Sequence, residues 1–124
     1  ESRVATAFRA QGRPLVSVSE SGVVSIDRPA GRARQGVAVH VGFDKDRAVM
    51  WTEEMGRPQV VQFQVRAEFL DRLRATAQPE HGVARDRSRP WKVDVDYPDQ
   101  YAIPPAMLAE FEASIVQGTG TVWR

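Results

Sequence analysis

The stretch at residues 93–105, "VDVDYPDQYAIPP", decides the fold, because it alternates in a way that a helix does not. Lys92 to Asp96 and Asp99 to Ile103 each read as a short strand. Pro98 supplies the turn between them, and successive side chains face opposite ways. In the second run Tyr101 and Ile103 share an apolar face, while Gln100 and Ala102 share the other. The apolar face belongs in a core. A neutral amide beside a residue too small to cover it needs another explanation, so Gln100 enters as a candidate site residue. Pro104 and Pro105 then open a last helix that turns Met107, Leu108, Phe111 and Ile115 inward, and "GTGTVWR" ends the chain as a turn and a terminal strand.

The same reading extends towards the amino terminus. "RVATAFRA" alternates as a first strand, with Val4 and Phe8 inward, and stops at Gln11-Gly12. "PLVSVSESGVVSI" is a hairpin around Glu20-Ser21-Gly22, where glycine gives the turn its backbone freedom. A loop from Arg28 to Gln35 leads to the strand "GVAVHVGF". Asp44 caps a helix over "KDRAVMWTEEMG", which Gly56 and Pro58 close. The strand "PQVVQFQVR" runs directly into the helix "AEFLDRLRATA". There Phe69, Leu70, Leu73 and Ala77 recur at helical spacing, and Glu68 and Arg72 form an exposed i, i+4 pair. Strands are many and short, helices few, and regular β-α-β alternation is missing. The expectation is an α+β domain with a mostly antiparallel sheet, split or bent.

Composition narrows the classes further. At 124 residues, 42% hydrophobic and 27% charged, the chain has the make-up of one soluble globular domain, 1–124. No apolar run approaches the roughly 20 residues that a membrane-spanning helix needs, and the start has no signal-peptide core. The lack of an initial Met suggests a module cut from a longer polypeptide. With no cysteine, disulfides, thiol catalysis and thiolate metal sites are excluded. The net charge of +1 gives no global field for unspecific nucleic-acid binding. Arginine is concentrated locally, in "RPAGRAR" and "HGVARDRSRP", while the segment from Asp94 to Glu112 is acidic.

Several chemistries drop out. His40 and His81 are the only histidines, one on a strand and one in a loop, and without cysteine they make no zinc deaminase or hydrolase site. No serine sits on a G-x-S-x-G elbow. "GTGT" lacks the helix and lysine of a phosphate loop. A metal-independent ribonuclease stays open, with His40 or His81 as base and Arg85 or Arg89 beside it.

The segments "VQFQVRAEFLDRLRATAQPEHG" (61–82) and "KVDVDYPDQYAIPPAMLAEFEASIVQGTG" (92–120), with "AFRA" (7–10), resemble the ADP-ribosyltransferase superfamily. They are similar to the C-terminal modules of bacterial Rhs-type polymorphic toxins, and more narrowly to the TreTu-type toxins that ADP-ribosylate elongation factor Tu. The resemblance spans about Phe8 to Gly120. It implies an ADP-ribosyltransferase-like split sheet and NAD as substrate, with no metal. It further implies a protein target in the translation machinery, a cognate immunity protein, and delivery into the cytoplasm of a competing cell as part of a larger effector.

Residue by residue, Arg9 matches the first-strand arginine that holds the NAD phosphates and nicotinamide ribose. A planar guanidinium suits that task because it forks onto a diphosphate and stays charged. Gln100 matches the late catalytic position, where most transferases carry Glu and the necrotizing-type NAD glycohydrolase toxins carry Gln. The middle element falls on Ser25 in "GVVSI", with His40 as competitor and ordinary strand residues as the plain alternative. Nicotinamide departs through a transition state of oxocarbenium character. There Gln keeps the hydrogen-bond acceptor of Glu but loses its charge and its basicity. Either the acceptor is already reactive, or a carboxylate such as Asp96, Asp99 or Glu112 takes the missing role. An NAD glycohydrolase that uses the same Arg9 and Gln100 is the nearest alternative.

Overall fold

In a computed structural model of the chain, the residues described are 3–12, 15–26, 38–56, 59–78, 88–93 and 99–123. The loop at 28–35, Pro58, His81, Arg85, Asp94, Asp96 and Pro98 lie outside the described residues. The architecture is α+β. Six strands form one antiparallel sheet in the order β6-β7-β4-β1-β5-β8, and β2 and β3 form a separate hairpin. The strands are β1 (Val4–Gln11), β2 (Val16–Val18), β3 (Val24–Ile26), β4 (Val39–Gly42), β5 (Gln59–Arg66), β6 (Trp91–Lys92), β7 (Gln100–Ile103) and β8 (Thr121–Trp123). The helices are α1 (Lys45–Glu54), α2 (Ala67–Thr76) and α3 (Leu108–Ser114), and a 3₁₀ turn, Pro105–Met107, leads into α3.

The backbone of the sheet is the β1–β5 ladder, eight registered pairs from Val4 opposite Arg66 to Gln11 opposite Gln59. Alternation along β1 then sorts the side chains. Ala5 and Ala7 face the main core with Val61, Phe63 and Val65, and α2 and α3 cover that face through Phe69, Leu73 and Phe111. Phe111 stacks on Phe69 with ring centroids 5.4 Å apart. Phe8 points the other way, into a smaller cluster with Ala48 of α1 and Val60. Phe8 is thus inward as its spacing predicts, but beneath α1 rather than in the main core. Val4 is 44% exposed, because it opens the strand past the helices that would cover it. Tyr101 and Ile103 join the main core, as does the stretch from Met107 to Ile115.

Helix starts and stops follow local chemistry. The Asp44 carboxylate accepts from the amides of Asp46 and Arg47 at 2.9 and 3.2 Å, which satisfies two of the orphan donors of α1. α2 starts without a side-chain cap, directly from β5, and the Ala67 amide donates to the Arg3 carbonyl instead. The exposed pair expected between Glu68 and Arg72 gives way to one between helices, Arg72 with Glu110 of α3.

The hairpin docks on the carboxy-terminal segment. The Gln117 carboxamide donates to the Val24 carbonyl and accepts from its amide, so it completes the edge of β3 as a neighbouring strand would. Gly22 has φ +83°, and a Cβ there would lie 2.6 Å from the Gly118 carbonyl oxygen. Gly56 also has positive φ, +63°, but faces open space. Gly22→Ala should therefore lower the thermal midpoint by about 5 °C or more, combining left-handed strain with a backbone clash. Gly56→Ala should cost roughly half as much or less. Equal losses in thermal melts would show that the Gly22–Gly118 approach carries no weight.

Candidate functional site

β7 is no edge strand. It lies between β6 and β4, with Gln100 opposite Gly42 and Ala102 opposite His40. Gly42 in turn faces Phe8 of β1. Gln100, Gly42, Phe8 and their neighbours His40 and Ala10 therefore share the face over which α1 lies. There they enclose a cavity of about 30 Å³, whose wall α1 completes with Ala48 and Trp51. That volume holds one or two water molecules. A more open depression of about 440 Å³ shares the Arg9 and His40 wall and runs past Gly12, Leu15, Ala38 and Met55.

The four predicted site residues separate in this geometry. Gln100 and His40 reach the cavity from one side of the pleat. Arg9 also lines it, but by alternation it belongs with Ala7 and Gln11 on the opposite side. Its side chain is only 6% exposed, and it extends within the sheet. Nε donates to Gln11 Oε1 at 2.9 Å and Nη1 to the His40 carbonyl at 3.0 Å. Ser25 stands elsewhere, exposed on the hairpin opposite Ser17, and lines neither space. Of the second-rank candidates, Arg89 donates to the Thr76 carbonyl, and Glu112 sits on α3 away from both spaces.

Gln100 is the unusual member. It is 9% exposed, and its Nε2 is a buried donor with no hydrogen-bond partner. An unmet buried donor of this kind costs about 1–3 kcal/mol. The buried glutamines Gln11 and Gln78 differ. Gln11 donates to both the Val16 carbonyl and Gln59 Oε1, and Gln78 donates to the Arg89 carbonyl. Nothing in the alternation of β7 distinguishes a satisfied amide from an unsatisfied one, so this property could not be read from sequence.

Asp99 and Arg74 form an ion pair beside Gln100 that sequence reasoning did not connect. Asp99 has φ +60°, in the left-handed region that Asp tolerates better than most residues. Its carbonyl accepts from the Phe43 amide at 3.1 Å. Its carboxylate takes two hydrogen bonds from Arg74, at 2.9 and 2.6 Å, and one from the Tyr101 hydroxyl at 2.8 Å. The Arg74 bonds above all, with the Tyr101 hydroxyl, hold the carboxyl below the usual aspartate range against the opposing effect of burial. Burial first, then the bond to Asp99, pushes the Tyr101 phenol well up. A carboxylate so engaged is a weak base, which removes Asp99 as a stand-in for a catalytic glutamate. Its place immediately before Gln100 makes it a clamp on the start of β7.

Among the described residues, no three His, Asp or Glu side chains gather as a metal site, and no carboxylate lines the cavity. Nor is any helix of the described residues long and apolar enough to cross a membrane. Comparison with protein-family models, with curated proteins and with solved structures finds no match to this chain.

A depressed carboxyl stabilises the fold above the ordinary aspartate pKa of about 3.9, and that contribution drains away as the pH falls through its lower, folded value. The Arg74 side chain is 53% exposed, so solvent screening keeps the contribution to about 1 kcal/mol. In urea titrations from about pH 5 down to about pH 2, wild-type stability should fall more steeply than that of Arg74→Ala. Parallel curves would show the clamp to be without weight.

Proposed function

We propose that this chain is an NAD-dependent mono-ADP-ribosyltransferase toxin domain, with Gln100 as the residue that contacts the reacting end of the dinucleotide. The observation that carries the reading is the buried, partnerless Nε2 of Gln100 at a cavity that Arg9 and His40 also line. A buried donor without a partner is stable only where something else favours it, and a ligand acceptor atom supplies that compensation on binding. Trp51 and Phe8 give the cavity aromatic walls, which suit a planar carboxamide-bearing ring. The enclosed part is small, so the dinucleotide would lie mainly along the open depression and send one polar end inward. The resemblance supplies the rest of the proposal: elongation factor Tu as acceptor, a cognate immunity protein over the cleft, and action in the cytoplasm of a target cell. Arginines in "RPAGRAR" and "HGVARDRSRP", segments largely outside the described residues, would guide the acidic acceptor or the NAD phosphates.

A second reading, NAD glycohydrolase, is favoured by one feature. Gln100 is neutral, and no carboxylate among the described residues lines the cavity to activate a protein nucleophile.

Incubation with labelled NAD and a bacterial lysate tests the proposal. A labelled protein band is expected, and Gln100→Ala should lower turnover by about tenfold or more while NAD binding changes less. Release of nicotinamide from NAD alone, at the same rate with and without lysate, would favour hydrolysis. RNA cleavage without NAD, unaffected by Gln100→Ala, would overturn both NAD readings.

A further inference from the structure

We infer that Gly42 is a positioning residue for Gln100: the side chain it lacks leaves the seat in which the Gln100 carboxamide lies. The consequence for turnover rests on the proposed function, whereas the seat itself does not.

Gly42 closes β4 and stands directly opposite Gln100 on one side and Phe8 on the other. Its backbone is not among the positive-φ glycines, so the conformation alone does not require glycine. The space does. The three atoms nearest to a Cβ built at Gly42 all belong to the Gln100 side chain, and two of them, Cδ and Nε2, would lie at 2.6 and 2.7 Å. Cβ atoms do not approach other atoms closer than about 3.0 Å. The carboxamide therefore lies across the bare backbone of β4, towards β1, and any side chain at position 42 would evict it.

The other end of Gln100 is held as firmly. Asp99 precedes it with φ +60° and a carboxylate tied to Arg74 and Tyr101, so the backbone cannot shift to follow a displaced amide. Gly42 thus leaves room for the carboxamide beside the cavity, and the clamp ties down the backbone from which it projects. Gly42 touches no ligand in this scheme. It acts through Gln100.

The experiment is a double-mutant cycle read in two ways on the full chain. Without ligand, the side-chain amide resonance of Gln100, assigned by its loss in Gln100→Ala, should move in Gly42→Ala while most other amides stay in place. With NAD as the probe, Gly42→Ala should lower kcat by up to about 100-fold, the scale that misplacing a reacting group by about 1 Å can cost. It should have no further effect in the Gln100→Ala background. An unmoved resonance overturns the seat. A moved resonance with wild-type turnover overturns the positioning role, as does an additive loss in the double variant. If the wild-type chain consumes no NAD under any condition, the proposed function fails, and the resonance alone decides the seat.

Discussion

At the centre of the sheet, β1 and β4 are joined by one registered pair, Phe8 opposite Gly42, whereas β1 and β5 share eight. Among the described residues, side chains add to that pairing. Arg9 reaches across to the carbonyl of His40, hands its Nε–H to Gln11, and Gln11 bonds on to Val16 of the hairpin and Gln59 of β5. A buried arginine and a fully buried glutamine thus reinforce the junction of β1 and β4. Such a polar bridge holds only if its members are satisfied, since an unmet group in a low-dielectric interior costs more than a bond returns. The hairpin, a separate sheet among the described residues, is held by burial of Val16, Val24 and Ile26 in the main core, by this bridge, and by the Gln117 and Gly22 contacts at the carboxy-terminal side.

The candidate site lies beside that junction. There α1 lies over Phe8, Ala10 and Gly42, and the small cavity and the broader depression share the Arg9 and His40 wall. Under the proposed function this wall is where a ligand would lie. Arg9 has a place both in the sheet and in the wall, because the bonds that tie it to Gln11 and the His40 carbonyl also hold it there.

Much of the fold was legible, since its strands carry period-two patterns, α1 carries a cap and α2 and α3 carry apolar stripes. The α+β class, the Asp44 cap, the hairpin at Gly22 and the apolar stripes of α2 and α3 all follow from spacing that maps onto one face at a time. What spacing leaves open is which of two faces a residue joins when both are covered. Phe8 reads as inward on any count, yet only the position of α1 tells that it faces away from the main core. The site was less legible for the same reason. Arg9 and Gln100 were expected to converge, and both do line one cavity, but from opposite sides of the pleat, a relation fixed by the register of three strands and visible in none of them. Ser25 was chosen as a polar residue on a strand, a property shared by many residues with no site nearby, and it lies on the exposed side of the hairpin.

Any chemistry at Gln100 must work without a proton. A carboxamide has no useful basicity, and the nearest aspartate in sequence is already engaged by a guanidinium and a phenol, which lowers its appetite for protons further. A dipole at the wall of a small cavity remains, and dipoles aligned before the reaction need no reorganisation as charge develops. Such a dipole is effective only if its direction is set, since rotation of the amide by half a turn exchanges donor for acceptor. The bare backbone of Gly42 below and the clamped Asp99 behind set where the carboxamide lies, and a partner for Nε2 would set its direction. The arrangement therefore concentrates its precision on one neutral group, as a site must when orientation, rather than acid–base strength, is what it has to offer.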